Sequence, residues 1–405
     1  MKEYLEKTLN EIAQIGLNST GEINRLAFSK ENQDVIDYVL NLMAECNLHI
    51  RKDGFGNIIA LKKGSNEELP VIMMGSHLDS VPNGGNFDGV IGILGALAII
   101  KKLQDVNYNN KHSLELVVFM AEESSVFGCS TLGSKAFCGL VNDYNGDMLK
   151  NYEGITLNDF LKRQNCEGIS KARYLGNIKC FWEMHIEQGC VLDKEKMDIG
   201  IVNGIFAPTR VKIVLEGEAN HSGATPMLLR YDALCGSAEV VLAVENLAKN
   251  FGDELVATVG IIKAKPNVMN VIPGEVELGL DLRSISQKMK NEFLEQLIEL
   301  LDEIKIKRRL DIDLVILSDE NPVLLNADLI EQSKIICDKL SYSYKVMPSG
   351  AGHDAMNLAL CTPTGMLFVP SQGGISHNPR EFSKIDDLVK VCEVLEEIIK
   401  YNDNL

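Results

Sequence analysis

The sequence predicts an α/β domain with a mixed sheet flanked by helices, interrupted by an inserted α+β domain of ferredoxin-like type. The chain has 405 residues, more than one hydrophobic core usually organises. Buried-strand runs alternate with helical stripes before residue 209 and again after residue 324. Between them, half-exposed strands follow the order strand-helix-strand-strand-helix-strand. We therefore expect segments 1–208 and 325–405 to form one domain around the insertion 209–324.

The first segment alternates helices and strands along the chain. Residues 32–48 place apolar side chains at helical spacing, and VIGILGALAIIKKL is an apolar helix. The expected buried strands are residues 57–62, 70–75 and 114–120, with one more inside 181–189. In an open α/β sheet, binding sites form at the carboxyl ends of such strands.

The insertion and the final segment show the same two periodicities. In the insertion, the expected strands are residues 209–219, 254–263, 274–284 and 310–317, and the expected helices are residues 231–250 and 286–304. After residue 325 the α/β pattern returns, with a helix near 327–341, a strand at TGMLFVP and a helix at 384–400.

The composition argues against several classes of function. A formal net charge of −17 disfavours binding to nucleic acids or anionic membranes, because both require a cationic surface. The N-terminal segment is charged throughout, unlike a signal peptide, and no run of about 18 apolar residues follows. Ten cysteines without a CxxC pair are typical of a reducing compartment. We expect a cytoplasmic protein with no nucleic-acid and no membrane partner.

The segment GSHLDSVPNGGNFDG, residues 75–89, contains the first candidate metal ligands. At a strand end, His77 and Asp79 would lie on one face, where the Asp79 carboxylate can accept the imidazole N–H. The glycine-rich loop can turn back and bring Asp88 near His77. A surface turn with a solvated Asp79 and a helix N-cap at Asp88 are the alternatives.

Three further segments supply carboxylates and histidines. Glu122 and Glu123 directly follow the strand 114–120, and adjacent carboxylates repel unless a cation or proton lies between them. Solvated loop carboxylates are the alternative. His185 follows a buried strand, and His377 lies in the glycine-rich turn GGISHNP. Two zinc-like ions that share a carboxylate and a bridging water suit the combined ligand set of His77, Asp88, Glu123, His185 and His377.

Seven motifs together carry a family resemblance. They are GSHLDSVPNGGNFDG, MAEE, MHIEQG, GEANHSGATPM, NVIPGEVELGLDLR, SGAGHDAMNLA and FVPSQGGISHNP. Through them the chain resembles the amidohydrolase branch of the dinuclear zinc aminoacylase and carboxypeptidase family. That branch contains N-carbamoyl-L-amino-acid hydrolases, β-ureidopropionases of bacterial type and allantoate amidohydrolases. The resemblance implies that the insertion is a lid and dimerisation domain.

The resemblance also implies roles for the candidate residues. Asp88 would bridge two divalent metal ions per subunit, and the other ligands would be His77, Glu123, His185 and His377. Zinc is the expected metal, with manganese, cobalt and nickel as alternatives. Glu122 would be the general base for a metal-bridging hydroxide, and Asp79 would support catalysis by orienting His77. A histidine at position 185, where the family's peptidases tend to use a carboxylate, favours a carbamoyl or ureido substrate.

Residues of the insertion are expected to complete the site. By the resemblance, His221 donates a hydrogen bond to the oxyanion from the partner subunit, which implies a homodimer with composite active sites. Asn270 and Arg283 match residues that bind the substrate carboxylate or ureido group, and an arginine can do so through its bidentate fork. Further candidates for the same pocket are Arg210, Gln188 and His353.

These expectations define the predicted reaction and its alternatives. We expect hydrolysis of a non-peptide C–N bond in a small ureido acid, either an N-carbamoyl-L-amino acid or allantoate. An aminoacylase or dipeptidase of the same family is the alternative enzyme. A binding or scaffold protein on this fold is disfavoured because every ligand position and Glu122 are present. A cysteine hydrolase using Cys129 or Cys361 would be inhibited by alkylation rather than by chelation.

Overall fold

The protein folds into two compact units, which are described separately. A computed structural model describes all residues from Met1 to Leu405. The first unit comprises Met1–Asn203 and Leu325–Leu405, and the second comprises Gly204–Leu324. The second unit therefore ends at the residue predicted for the insertion but begins at Gly204 rather than at residue 209.

Helices and strands alternate through most of the chain. The helices are α1 (Lys2–Ile12), α2 (Lys30–Glu45), α3 (Val90–Asp105), α4 (Leu132–Phe137), α5 (Asp143–Met148), α6 (Leu157–Arg163), α7 (Val191–Glu195), α8 (Ala233–Lys249), α9 (Gln287–Arg308), α10 (Ala327–Leu340), α11 (Asp354–Leu358) and α12 (Ile385–Asn404). None of them is both long enough and apolar enough to cross a membrane.

The longest strands belong to the second unit, which also contains three two-residue strands. The strands of the chain are β1 (His49–Lys52), β2 (Ile58–Lys62), β3 (Val71–His77), β4 (Leu114–Phe119), β5 (Ile178–Ile186), β6 (Ile199–Ile205), β7 (Ala207–Glu216), β8 (Asn220–His221), β9 (Leu255–Lys265), β10 (Val271–Ile272), β11 (Glu275–Ser284), β12 (Asp311–Asp319), β13 (Val323–Leu324), β14 (Tyr344–Ser349) and β15 (Thr364–Val369).

The first unit is built on a mixed sheet. Its strand order is β1-β2-β4-β3-β5-β15-β6, and β14 also pairs with β6. The central strands β4, β3, β5 and β15 are parallel to one another, whereas β1 runs antiparallel to β2, β2 to β4, and β6 to β15. Because parallel strands end on the same side, the carboxyl ends of these four strands lie along one edge of the sheet.

Helices pack on this sheet and enclose the main hydrophobic core. Helix α3 contacts β3, β4 and β5, and its apolar side chains are buried almost all round. A helix that is apolar on every face must be enclosed, and α1 and α12 cover it here. Helix α11 packs on β5 and β15 and contacts α4. The mixed α/β fold predicted from the alternating pattern is confirmed.

The second unit contains an antiparallel sheet in the order β12-β7-β11-β9. Helices α8 and α9 pack against each other and against the sheet. Alternation along β7 directs Val211, Ile213 and Leu215 into the core formed with these helices. The short strands β8 and β10 form a separate pair, and β13 pairs with the last residues of β6.

Candidate metal centre

The candidate metal ligands lie along the carboxyl edge of the parallel strands. His77 is the last residue of β3, and His185 is the last but one of β5. Glu122 and Glu123 follow β4, and His377 follows β15. Since these strands are neighbours in the sheet, residues as far apart in the sequence as His77 and His377 meet in one cluster.

The first group of donors is His77, Asp88 and His185, whose ligand atoms all lie within 4.8 Å of one another. The Oδ1 atom of Asp88 is 3.3 Å from Nε2 of His77 and 3.1 Å from Nε2 of His185. Each histidine places Nδ1 against a main-chain carbonyl, that of Asp79 at 3.0 Å for His77 and that of Ile186 at 2.9 Å for His185. A carbonyl can only accept, so both Nδ1 atoms carry a proton.

The donor chemistry of this group fits a metal cation. With Nδ1 bonded to a carbonyl, each ring directs Nε2 toward Asp88, and the Gly89 N–H also points at Nε2 of His185, 3.2 Å away. Two imidazole nitrogens and a carboxylate oxygen at these distances require a cation or a proton among them, and against the effect of burial the carboxylates raise the pKa of both His77 and His185. Two imidazole nitrogens and a carboxylate oxygen are ligands that suit zinc.

The second group uses the other oxygen of the same aspartate. Asp88, Glu123 and His377 place their ligand atoms within 4.8 Å of one another. Nε2 of His377 is 3.4 Å from Oδ2 of Asp88 and 3.4 Å from Oε1 of Glu123. Asp88 therefore faces one group with each carboxylate oxygen, as a shared ligand would. The His377 side chain is 49% exposed, so this side of the centre is open to solvent.

The backbone around Asp88 requires glycine. Gly89 has φ +68°, and a Cβ there would lie 2.5 Å from the His77 ring. Gly89, not Asp88, is the N-cap of α3, and no side chain caps that helix. The alternative explanation of Asp88 as an N-cap therefore does not hold, and its carboxylate is turned toward the histidines instead.

The carboxylate of Asp79 bonds to the main chain of the two glutamates and not to His77. Its carboxylate accepts the N–H of Glu122 at 3.2 Å and the N–H of Glu123 at 3.0 Å. The distance from Asp79 Oδ1 to His77 Nδ1 is 3.7 Å, too long for a hydrogen bond. The expectation that the Asp79 carboxylate accepts the imidazole N–H is therefore wrong, because the main-chain carbonyl oxygen of Asp79 accepts that hydrogen bond.

Burial and mutual charge shift the pKa of every acid and base in the cluster. Burial raises the pKa of Glu122 well above its usual value, and burial together with Asp88 raises that of Glu123 to about 7. Burial opposes ionisation of Asp88, but His185, His377 and His77 outweigh it and hold its pKa well below the usual value. The contact with Asp88 raises the pKa of His377 to about 9. The cluster thus favours bound positive charge.

Two predicted substrate-binding residues of the first unit, Gln188 and His353, lie beside candidate metal ligands. Gln188 donates from Nε2 to Oδ2 of Asp88 at 2.7 Å, so it contacts the shared ligand. His353 is only 2% exposed and packs edge-on against the His185 ring, with ring centroids 4.5 Å apart. Its Nε2 lies 2.8 Å from Oγ of Ser349. His353 therefore lies behind a candidate ligand, out of reach of a substrate, which argues against the predicted contact.

In the second unit, the structure brings His221 and Asn270 together. Strands β8 and β10 pair His221 with Val271, and the N–H of Ser222 donates to the Asn270 carbonyl at 3.1 Å. Nδ1 of His221 accepts the N–H groups of Gly223 at 3.0 Å and Ala224 at 3.2 Å. The proton of the neutral ring is therefore on Nε2, which makes the exposed end of the ring a hydrogen-bond donor.

Arg210 and Arg283 lie at the other end of the second unit's sheet. Asp281 pairs with Arg210 across β11 and β7, and the Arg283 guanidinium contacts both Asp281 oxygens, at 2.8 and 3.0 Å. Glu275, close to the β8–β10 pair, begins β11, and Arg283 is next to its end. Eight residues of extended strand span about 25 Å. The two arginines are therefore far from His221 and Asn270 within one subunit.

Three buried acids near the ligands were missed in the sequence. Glu183 accepts the Ser76 hydroxyl at 3.0 Å and the Ala355 N–H at 2.8 Å. Burial, with a contribution from Glu183, raises the pKa of buried Asp354 to about 8. Glu381 contacts the loop that carries Asp88. The available signals were weak: an acid in the buried part of β5 two residues before His185, and an acid four residues after His377.

Known hydrolases are similar to this chain over almost its whole length. The family model described as peptidase family M20/M25/M40 matches residues 73–401. An N-carbamoyl-L-amino-acid amidohydrolase of Pseudomonas sp. strain NS671 is 39% identical over 407 residues, with 99% of this chain and 98% of that protein covered. The allantoate amidohydrolase of Escherichia coli K12 is 34% identical, with 97% and 96% covered. The crystal structure of a hydantoinase/carbamoylase-family amidase from Burkholderia multivorans superposes with a TM-score of 0.94 at 30% identity, with 99% and 98% covered.

Proposed function

The chain belongs to peptidase family M20/M25/M40, and we propose that it hydrolyses a C–N bond of the carbamoyl or ureido group in an N-carbamoyl-L-amino acid or related ureido acid. It is an enzyme that acts on amide or ureido groups, and relatives that match almost its whole length are amidohydrolases. The observation that carries the proposal is Asp88, whose two oxygens face two separate donor groups. A shared carboxylate between two groups suits a pair of metal ions.

The two groups define which residues would hold the metals. One ion would be held by His77, Asp88 and His185, and the other by Asp88, Glu123 and His377. When bound, such ions polarise a substrate carbonyl and lower the pKa of water from 15.7 to about 7. The donor set of nitrogen and carboxylate oxygen favours zinc, and the same set accepts manganese, cobalt or nickel.

Glu122 is the proposed general base. Its side chain is buried, and Oε2 lies 3.9 Å from Nε2 of His77, at the edge of the first donor group. The N–H of Glu122 is bonded to Asp79, which holds the main chain and leaves the carboxylate oxygens available. Glu122 would accept a proton from the attacking water and deliver it to the leaving nitrogen, so that the departing group is neutral.

His221 is the proposed oxyanion donor, supplied by the partner subunit of a homodimer. Its Nδ1 is occupied by two main-chain N–H groups, which leaves Nε2–H as the donating end. The stretch of β11 from Glu275 to Arg283 spans about 25 Å and separates Arg283 from the β8–β10 pair that carries His221. This separation supports a composite site, because one subunit cannot direct both His221 and Arg283 toward the same small substrate. With two copies, His221 and Asn270 of one would act with Arg283 of the other.

A ureido acid is favoured over a peptide by two observations. His185 provides an imidazole ligand in the first group, where the resemblance gives peptidases of the family a carboxylate. Relatives that match almost the whole chain are named N-carbamoyl-L-amino-acid amidohydrolase and allantoate amidohydrolase. An aminoacylase or dipeptidase remains the second candidate, since the matched family is a peptidase family. A cysteine hydrolase is disfavoured because Cys129 and Cys361 contact carbonyl oxygens, Lys135 and the Cys138 thiol, and not a histidine.

The first prediction concerns the substrate and the metals together. N-carbamoyl-L-amino acids, N-carbamoyl-β-alanine, allantoate and N-acyl amino acids would be tested for release of ammonia and of free amine. We expect ammonia from a ureido acid, loss of that activity on dialysis against a chelator, and its return with zinc, manganese, cobalt or nickel. Turnover of N-acyl amino acids or dipeptides alone would favour the second candidate, and activity that survives chelation but not thiol alkylation would contradict both.

The second prediction concerns His221. We expect His221→Ala to lower kcat about 10²- to 10³-fold with metal content unchanged, because a donor to the oxyanion is lost. His49→Ala is the matched control, since His49 is an exposed histidine on strand β1 of the other unit. Coexpression of the His221→Ala and Glu122→Gln chains should restore about one quarter of wild-type activity, because mixed dimers would hold one intact site. No recovery would show that His221 does not act across subunits.

A further inference from the structure

We infer that Glu381 is a positioning residue that fixes the shared ligand Asp88 and thereby sets the affinity for both metal ions. The inference rests on the proposed function for the presence of metals but not for the identity of the substrate. Glu381 is 5% exposed and lies on the segment after His377, so it reaches the Asp88 loop from a distant part of the sequence.

Glu381 bonds to the main chain of the ligand loop. Its Oε1 accepts the N–H of Phe87 at 2.8 Å and the N–H of Asp88 at 3.1 Å. These donors belong to Asp88 itself and to the residue before it. A carboxylate that accepts two N–H groups holds their backbone orientation more tightly than a neutral acceptor, because charge-assisted hydrogen bonds are stronger.

The second oxygen of Glu381 is linked to the Asp88 side chain. The hydroxyl of Ser376 donates to Oε2 of Glu381 at 3.0 Å, and the same Oγ lies 3.3 Å from Oδ2 of Asp88. Ser376 is therefore a bridge between the two carboxylates, next to the candidate ligand His377. Both the main chain and one oxygen of Asp88 are tied to Glu381, directly or through one residue.

The opposite side of the loop is held as well, so the position of Asp88 is defined from two directions. The buried Arg25 guanidinium donates to Oδ1 of Asn86 from both Nη atoms at 3.2 Å, and Nδ2 of Asn86 donates to the Leu9 carbonyl at 3.2 Å. Gly85 allows the loop to approach, since a Cβ at that position would be 2.4 Å from Glu381. Without Glu381, the contacts of Asn86 and the Gln188 hydrogen bond to Asp88 would remain, but the N–H groups of Phe87 and Asp88 would lose their acceptor.

Glu381 is not itself a metal ligand in this arrangement. Its oxygens accept three hydrogen bonds from protein donors, and it belongs to none of the donor groups. Its hydrogen bonds reach the metal ligands through Asp88, either directly or by way of Ser376. Because Asp88 belongs to both groups, a displaced Asp88 weakens both ions, whereas loss of an outer contact to His377 or His185 alone would weaken one. Partners of this kind typically change metal affinity or activity about 10- to 100-fold.

The experiment compares Glu381→Ala, Glu381→Gln and the control Glu396→Gln. Glutamine keeps an acceptor for the Phe87 and Asp88 N–H groups, whereas alanine removes every contact. Glu396 is an equally buried acid on α12, paired with Lys102 and Lys400 and not with the metal loop. Zinc dissociation constants would be measured by competition with a chromophoric chelator, together with Tm, kcat and KM.

The expected result separates positioning from simple loss of stability. We expect Glu381→Ala to weaken zinc binding at both sites about 10- to 100-fold and to lower kcat at saturating zinc with KM nearly unchanged. Glu381→Gln should lie closer to wild type, and Glu396→Gln should lower Tm without affecting zinc affinity. Wild-type zinc affinity in Glu381→Ala would overturn the inference. The zinc measurement needs no substrate, so it stands whether or not a ureido acid is hydrolysed, and failure of wild type to bind zinc would instead refute the proposed function.

Discussion

Replacement of Glu122 by glutamine is expected to lower kcat about 10³- to 10⁴-fold while the protein still binds metal at both groups. The amide is similar in shape to the carboxylate but cannot accept a proton from water or return it to the leaving nitrogen. The contacts that hold this residue should survive, because Asp79 bonds to the N–H of Glu122 and not to its side chain. Ammonia release and metal content per subunit would be measured on the same sample.

A matched control is available on the strand that precedes Glu122. Glu115 is a buried acid of β4 that accepts the Tyr174 hydroxyl at 2.8 Å, away from the ligands. Glu115→Gln should therefore retain near-normal kcat, although it loses a buried charge. If Glu122→Gln kept more than about a tenth of wild-type kcat, the assignment of Glu122 as general base would be wrong, because general base catalysis contributes at least about 100-fold.

Replacement of Asp88 by alanine is expected to remove both metal ions, whereas replacement of His377 by alanine should remove only one. Asp88 offers Oδ1 to the group with His77 and His185, and Oδ2 to the group with Glu123 and His377. His377 belongs to the second group alone. We expect Asp88→Ala to have no measurable activity, because neither ion would remain to polarise the substrate or acidify water.

Metal content after dialysis, measured by elemental analysis, tests this difference directly. We expect two ions per subunit in wild type, one in His377→Ala and none in Asp88→Ala, when protein concentration and free zinc concentration are the same. Circular dichroism would verify that each variant is folded. Retention of two ions by Asp88→Ala would contradict the shared-ligand interpretation, and equal loss in both variants would mean that the two groups do not bind independently.

Several features of the fold were predictable because local pattern and topology agree. The apolar runs of β3 and β4 and the apolar helix α3 between them indicated parallel strands of an α/β sheet. Family membership confirms the resemblance carried by the motifs. The motifs also drew attention to His77, Asp88, Glu123, His185 and His377, which the structure brings into two donor groups. Such residues are recognisable because metal chemistry restricts their type and because glycine-rich loops accompany them.

Other contacts could not be read from the sequence, since they depend on which atoms face each other. Adjacent positions on one strand face suggested an Asp79 carboxylate bonded to His77, yet the carbonyl of Asp79 takes that role. The motif around His353 suggested a substrate contact, yet packing of α11 on β5 buries the ring behind His185. Glu381 carries no motif signal of its own, because its partners are main-chain N–H groups 294 and 293 positions away.

The sequence by itself determined the α/β class, the alternating elements and the identity of the candidate ligands, because hydrophobic periodicity and ligand chemistry are local properties of residues. The tertiary structure decided which ligands form each group, which oxygen of Asp88 faces each of them, and that the carboxylates of Glu381 and Asp79 accept main-chain N–H groups of the ligand loops. The physical reason is that four parallel strands end on the same edge of one sheet, so segments distant in the chain meet at distances of a few ångströms that no local pattern encodes.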